Sequence, residues 1–431
     1  MRIYLLLIIL ISITPFGAIA QTAGTVLPFW QSPHVNTEYD AENLDELLIL
    51  PDGDMVVIGF RYIIEPRRAF AIHSPFLVVH RIAPDGNERW WVALEIEREA
   101  YHRSVSVAAP DGGLFLCDGA DSIYRLDADG KTVWRIVKRG LPWLKGCQDL
   151  AYHPSGLLIL SGVLGTANMG FKNAGFQPTL IAYDAATGEE KWKLPYLPLD
   201  TEIDPHATKI IIAGDELNWW GNVSAGLHTQ YLTDFSFSFR VGLDGRVLAQ
   251  TSVEKFLDCW RGFGAFVAVD GRVYAEFCEC WTSGPHPPDS LFYWDRYDWT
   301  QPHLIYLDGP RELEGDRNHV ARDFSPVGST PGTATFLFVA HPTEYSRSLE
   351  DRNRTIWLDL VTIEPDQADH EDYRHTTMSI AVSEGFGWTL KDLATPGGNF
   401  RIAAGQKFFI LVGELGAKGR YTYRVDEVAI R

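Results

Sequence analysis

Beyond residue 20 the chain has no run of the roughly 20 apolar residues that a membrane-spanning helix needs, so no span is expected there. Basic charge is scarce. Lys and Arg total 38 against 56 Asp and Glu, a formal net charge of −18 with no basic patch. Such a surface repels phosphate backbones and anionic headgroups, which excludes nucleic acid as a partner. Cysteine is also scarce, at five: Cys117, Cys147, Cys259, Cys278 and Cys280. No two are adjacent in sequence, and their spacing lacks the tight pairs of a zinc site, so no metal is expected. The local signatures of several enzyme classes are missing: there is no Gly-x-Ser-x-Gly elbow, no His-Glu-x-x-His and no phosphate-cradling glycine loop. That excludes chemistry carried by one contiguous motif. It leaves open a site assembled from distant segments.

The first 20 residues have a leader's composition. Arg2 precedes an apolar core from Ile3 to Ile13, and Ala18-Ile19-Ala20 forms a small-x-small cleavage site. A signal peptide over 1–20 is expected, with a periplasmic or secreted product in which disulfides are permitted. No Cys follows the cleavage site, so no lipid anchor is expected. Cys278 and Cys280 would share one face of a strand and pair with each other only under strain. A Cys259–Cys280 bridge across a hairpin turning at Asp270-Gly271 is one reading, and buried free thiols are the other.

The remainder is organised by repetition. "LIAYDAATGEEKWKLPY" (Leu180 to Tyr196) alternates apolar and polar residues, turns at a Thr-Gly, and resumes with Trp192. "FLVVHRIAPDGNERWWVAL", "SIYRLDADGKTVWRIVK" and "FSFRVGLDGRVLAQTSV" match it, and Trp90, Trp134 and Trp192 each stand four residues past a turn glycine. Gly at these turns supplies the positive φ that tight hairpins require. A second hairpin type alternates with the first, as in "LLILPDGDMVVIGF" and "DLAYHPSGLLILSG", with turns near Gly53, Gly112, Ser155, Gly214, Asp270, Gly332 and Gly405. Seven units of four strands imply an all-β fold, a seven-bladed β-propeller of four-stranded antiparallel blades forming one domain over 21–431. Eight blades are the alternative. The last unit is one strand short, and "GTVLPFWQS" (Gly24 to Ser32) belongs to no hairpin, so the N-terminal strand is expected to close the ring and cover its edge.

On these residues the repeat resembles that of pyrroloquinoline-quinone-type propellers: apolar strand, Asp, Thr-Gly turn, then Trp. The likeness is strong in the first three units, whereas Ala249 and Leu313 replace the Trp later. It is similar, too, to the non-catalytic exported propeller lipoprotein that serves the bacterial outer-membrane barrel machinery. Quinone dehydrogenases of this resemblance have eight larger blades and an adjacent cysteine pair, which this chain lacks, so no cofactor is expected.

The linkers within units are long and aromatic, which suits recognition rather than disorder. Trp219, Trp220, Trp281, Tyr293, Trp294, Tyr297 and Trp299 fall in segments read as linkers, and they are the candidate contacts for a protein or glycan partner. Packing of these rings into a cap over the disc is the alternative. "DQADHEDYRH", with Asp366, Asp369, His370, Glu371, Asp372 and His375, reads as a solvated acidic loop. His80 in "SPFLVVHRI" reads as an ordinary strand histidine. The resulting expectation is an exported binding or scaffold module. The alternative is a periplasmic propeller enzyme, either a quinone-dependent dehydrogenase or a hydrolase or lyase working at the central channel.

Overall fold

A computed structural model describes residues 25–34, 40–64, 72–96, 104–118, 122–137, 147–165, 176–196 and 203–254, and beyond these the strands named below. The leader, Cys259, Cys278 and Cys280 lie outside the described residues, and so does the proposed bridge. Strand β1 is Thr25–Gln31. Blade 1 is β2 (Asp40–Ile49), β3 (Met55–Ile64), β4 (Ile72–Ile82) and β5 (Glu88–Glu95). Blade 2 is β6 (Val105–Ala108), β7 (Leu114–Cys117), β8 (Ser122–Leu126) and β9 (Thr132–Val137). Blade 3 is β10 (Cys147–His153), β11 (Leu157–Gly165), β12 (Phe176–Asp184) and β13 (Glu190–Pro195). Blade 4 is β14 (Ile203–Ala213), β15 (Glu216–Ala225), β16 (Thr233–Gly242) and β17 (Val247–Glu254). Blade 5 is β18 (Phe266–Val269), β19 (Arg272–Glu276), β20 (Ser290–Asp295) and β21 (Asp298–Tyr306). Blade 6 is β22 (His319–Thr330), β23 (Thr333–Pro342), β24 (Trp357–Ile363) and β25 (Arg374–Ala381). The last sheet holds β26 (Ile402–Ala403), β27 (Phe408–Leu415) and β28 (Tyr421–Ala429).

Among the described residues every sheet is a four-stranded antiparallel meander, and there are seven of them. The last takes its fourth strand from the other end of the chain, in the order β1-β28-β27-β26. Thr25 pairs with Ala429 and Gln31 with Arg424. First strands neighbour one another around much of the circle, β2 beside β6, β6 beside β10, β10 beside β14, β18 beside β22 and β22 beside β26. Blades 4 and 5 meet through β17 and β21, and β26, β27 and β28 all meet β2. The ring is therefore closed by the strand that the sequence leaves unassigned to any hairpin.

The core lies between sheets rather than inside one. Alternate residues of β3 point to opposite neighbours. Val57 joins Trp30, Leu44, Val78 and Val425 at the seam with the closing sheet. Val56 and Ile58 join Leu114, Leu116 and Leu126 of blade 2. Blades 2 and 3 share Phe115, Ile123, Leu158 and Ile181. Blades 3 and 4 share Ile159, Leu180, Trp219 and Phe237. A sheet covered on both faces needs apolar side chains on both, which is why "MVVIGF" and "LFLC" run hydrophobic without alternation.

The repeated tryptophans clamp each blade to the next. Trp90 Nε1 donates to the Ala128 carbonyl oxygen at 2.9 Å, Trp134 to that of Ala185 at 3.2 Å, and Trp192 to that of Leu243 at 2.7 Å. Each acceptor lies in a turn of the following blade, beside that turn's glycine. A Cβ added at Gly130 (φ +80°) would sit 2.8 Å from the Trp90 ring. Gly130→Ala therefore meets both left-handed strain and the indole packed against that turn, and should cost about 2–3 kcal/mol. Gly156 (φ +89°) has nothing within 4 Å of such a Cβ. Gly156→Ala carries the strain alone and should cost about 1 kcal/mol. Equal shifts in denaturation midpoint for the two variants would refute the clamp.

Candidate functional site

The meander sorts the connections by face. One face carries the turns within hairpins, such as 50–54, 83–87, 127–131, 214–215 and 296–297. With the exception of 364–373, all of these are short. The opposite face carries the linkers between second and third strands, including 166–175, 226–232, 277–289 and 343–356. It carries the inter-blade linkers as well, among them 255–265, 307–318 and 382–401. Strand order thus sorts the connections into two sets by the strand ends that they join.

The predicted aromatic set does not gather there. Trp219 and Trp220 are in the middle of β15, paired with Ile210 and Lys209, and are 0% and 3% exposed. They are core residues and not linker contacts. Beside them, Gly221 makes a mid-strand close approach: a Cβ there would fall 2.1 Å from the Phe237 ring. Tyr293 and Trp294 are in β20, and Trp299 is in β21. Asp295 pairs with Asp298, so the hairpin between them turns on the short-turn face, away from the linkers. Trp294 is paired with Val273 and Tyr293 with Tyr274. Tyr297 and Trp281 lie outside the described residues; the first falls in the 296–297 turn and the second in the 277–289 linker. In the acidic stretch, Arg374 and His375 open β25, and 364–373 lie outside the described residues.

Ion pairs recur within and between blades, and sequence reading passed over them. Arg81 of β4 is 5% exposed; its Nε reaches Asp54 Oδ2 at 2.6 Å and its Nη1 donates to the carbonyl oxygens of Gly112 and Ala128 in blade 2. Arg125 holds the same repeat position and pairs with Asp111. Arg240 does so again with Glu216, at 2.8 Å. Asp149 crosses from blade 3 to blade 4, meeting Lys209 Nζ at 2.8 Å and the Ile210 amide at 2.7 Å. Burial raises the Asp149 carboxyl above its ordinary value despite the lysine. The links of Arg81 and Asp149 join neighbouring blades, and those of Arg125 and Arg240 lie within one blade.

Cys117 and Cys147 are buried free thiols in the core between blades 2 and 3. Burial, then the neighbouring Cys117 thiol, pushes Cys147 well above the usual thiol range. The thiolate is the nucleophile, so Cys147 should be inert. Peptide mapping after maleimide treatment of the native protein at pH 8 should find Cys147 unmodified. Labelling of Cys147 within minutes would contradict this burial.

One set of metal-ligand-type side chains converges among the described residues: His34, His80 and Glu88. His34 Nε2 is 2.7 Å from Glu88 Oε1, and His80 Nδ1 is 3.0 Å from Oε2. Burial acts to raise the Glu88 carboxyl, but hydrogen bonds with His80 and His34 hold it below its ordinary value. The sequence reading of His80 as an ordinary strand residue missed this, since its partners stand 46 and 8 positions away and fit no local motif.

No protein-family model and no curated protein matches the chain. It is similar in structure to the polysaccharide lyase Uly1, with a TM-score of 0.52 and 8% identity over 96% of this chain and 98% of that one. It is also similar to the quinohemoprotein alcohol dehydrogenase ADHIIG of Pseudomonas putida HK5, with a TM-score of 0.41 and 13% identity over 96% of this chain and 77% of that one. For BamB of Moraxella catarrhalis the TM-score is 0.35 and the identity 10%, over 91% of this chain and 99% of that one. At such identities likeness speaks to fold and not to activity. The sheets and their order agree on the class: an all-β propeller of four-stranded antiparallel blades.

Proposed function

We propose that the protein is an exported binding or scaffold propeller, one domain following a cleaved leader, that engages a protein or glycan through its linker face. The observation that carries this reading is the segregation of long connections to one side of the disc. Connections of that length seldom persist in a compact fold without a task. A rigid ring presenting them from several blades holds their roots in fixed relation, which reduces the ordering cost of recognition. Trp281, in the linker 277–289, is the aromatic anchor that remains on this face. The acidic chain favours partners with neutral or basic surfaces.

A photo-reactive amino acid placed at Ser283 should capture the partner in the native envelope, and the same residue at Ala186, in a short turn, should not. Glycosidase treatment of the adduct separates a glycan from a protein. Adducts from position 186 with none from 283 would place the contact on the wrong face and refute the reading.

A further inference from the structure

The seam between the closing sheet and blade 1 holds a donor set that ring closure alone does not require. Its three members come from three places. His34 follows β1 by three positions, His80 is in β4, and Glu88 opens β5. Strand β1 is the outermost of the closing sheet and β5 the outermost of blade 1, and the His34–Glu88 contact links the segment after the first to the start of the second. Two imidazole nitrogens and a carboxylate oxygen lie within 4.8 Å of one another. Both histidine nitrogens aim at the carboxylate.

The surroundings are aromatic. Trp91 packs on His34 with centroids 4.3 Å apart, and Trp30 packs on His80 at 5.0 Å. The two histidine rings are stacked at 5.6 Å. The His80 side chain is fully buried, while those of His34 and Glu88 are 22% and 17% exposed. One side of the set is therefore dry and fixed, and the other opens to solvent. Three protein ligands with one open position is the pattern of a divalent site that keeps a water.

We propose that His34, His80 and Glu88 bind one divalent transition-metal ion of the zinc class at the seam, and that the ion staples the N-terminal strand to blade 1. Two imidazoles with one carboxylate and no thiolate suit zinc, nickel or cobalt(II). Calcium and magnesium, which prefer all-oxygen shells, do not fit. Metal–nitrogen bonds are about 2.0–2.1 Å long, so the three donors must draw in around the ion. His34, in the coil after β1, is the member able to move. The net charge of −18 favours a cation at the surface. Such a site forms only when the ring is closed, so binding adds directly to closure. This inference does not depend on the partner-binding role of the linker face.

The test uses the full mature chain without a histidine tag, stripped with a chelator. Cobalt(II) should give visible d–d bands that saturate at one equivalent, and zinc should abolish them by displacement. His34→Ala, whose side chain is partly exposed, should weaken zinc binding by more than about 100-fold, since even loss of an outer-shell partner costs 10–100-fold. Glu88→Gln, which retains the size and hydrogen-bonding capacity of the carboxylate, should behave likewise with the fold intact by circular dichroism. Zinc should slow amide exchange in β1 and β28 of the wild type and leave it unchanged in His34→Ala. Absence of cobalt bands in the wild type, or equal zinc affinity in wild type and both variants, would overturn the proposal. Binding that leaves β1 exchange unaltered would overturn the staple.

Discussion

Trp219→Ala should destabilise the protein by about 3–5 kcal/mol, the range for removing a buried tryptophan. The indole is fully buried between blades 3 and 4. It meets Phe237 edge-on at 5.0 Å and Phe239 at 5.5 Å, and its Nε1 donates to Ser161 Oγ at 2.7 Å. Neighbours fixed in two sheets cannot collapse into the space, so the cavity term stays large. Trp219→Phe should cost less, because Ser161 keeps its 2.6 Å partner Thr208. Urea midpoints followed by both fluorescence and far-ultraviolet circular dichroism check this, the two probes guarding against a blade-by-blade transition. A loss under about 1 kcal/mol would contradict the buried placement and restore Trp219 as a surface contact.

Arg81→Leu should cost about 3 kcal/mol. Removing one partner from a buried charged network typically costs 3–5 kcal/mol, because the groups left behind have lost their water as well as their partner. Asp54 retains Arg89 at 2.7 Å, which places the effect at the lower end. The carbonyl oxygens of Gly112 and Ala128 lose a donor at the junction of blades 1 and 2. Arg81→Lys should recover only part of the loss, since an ammonium cannot serve Asp54 and two carbonyls in one fixed fork. The difference between wild type and Arg81→Leu should persist in roughly 0.5 M salt, because a buried pair is poorly screened. A difference that vanishes in salt would show the arginine to be solvated.

The repeat was legible wherever turn chemistry and strand pattern agreed. Asp-Gly and Thr-Gly turns with a following Trp marked blades 1 to 3, and their meaning is physical: the indole must reach the next blade's turn, where only glycine leaves room. The closing role of Thr25–Gln31 was legible by elimination, since β28 lacked an outer partner. The aromatic site was not legible. A period of two says that side chains alternate, yet in a sheet covered on both sides neither parity faces water. Trp219 and Trp220 were therefore both buried although they are adjacent. Gly221, next to them, is the floor beneath Phe237. The histidine pair was illegible for a different reason. His34 and His80 meet only because the two ends of the chain share a seam, and proximity of that kind leaves no spacing to read.

Strand β1 has a long wait built into it. It leaves the ribosome long before the strand it pairs with, Tyr421–Ala429. At roughly 5–20 residues per second, synthesis keeps the two apart for about 20–80 s. Throughout that interval "TVLPFWQ" is an apolar ribbon with both edges open. Blades 1 to 4 can assemble meanwhile as a clamped arc, one tryptophan at a time. A truncated chain never receives its final partner, so incomplete copies keep a sticky amino terminus that finished ones conceal.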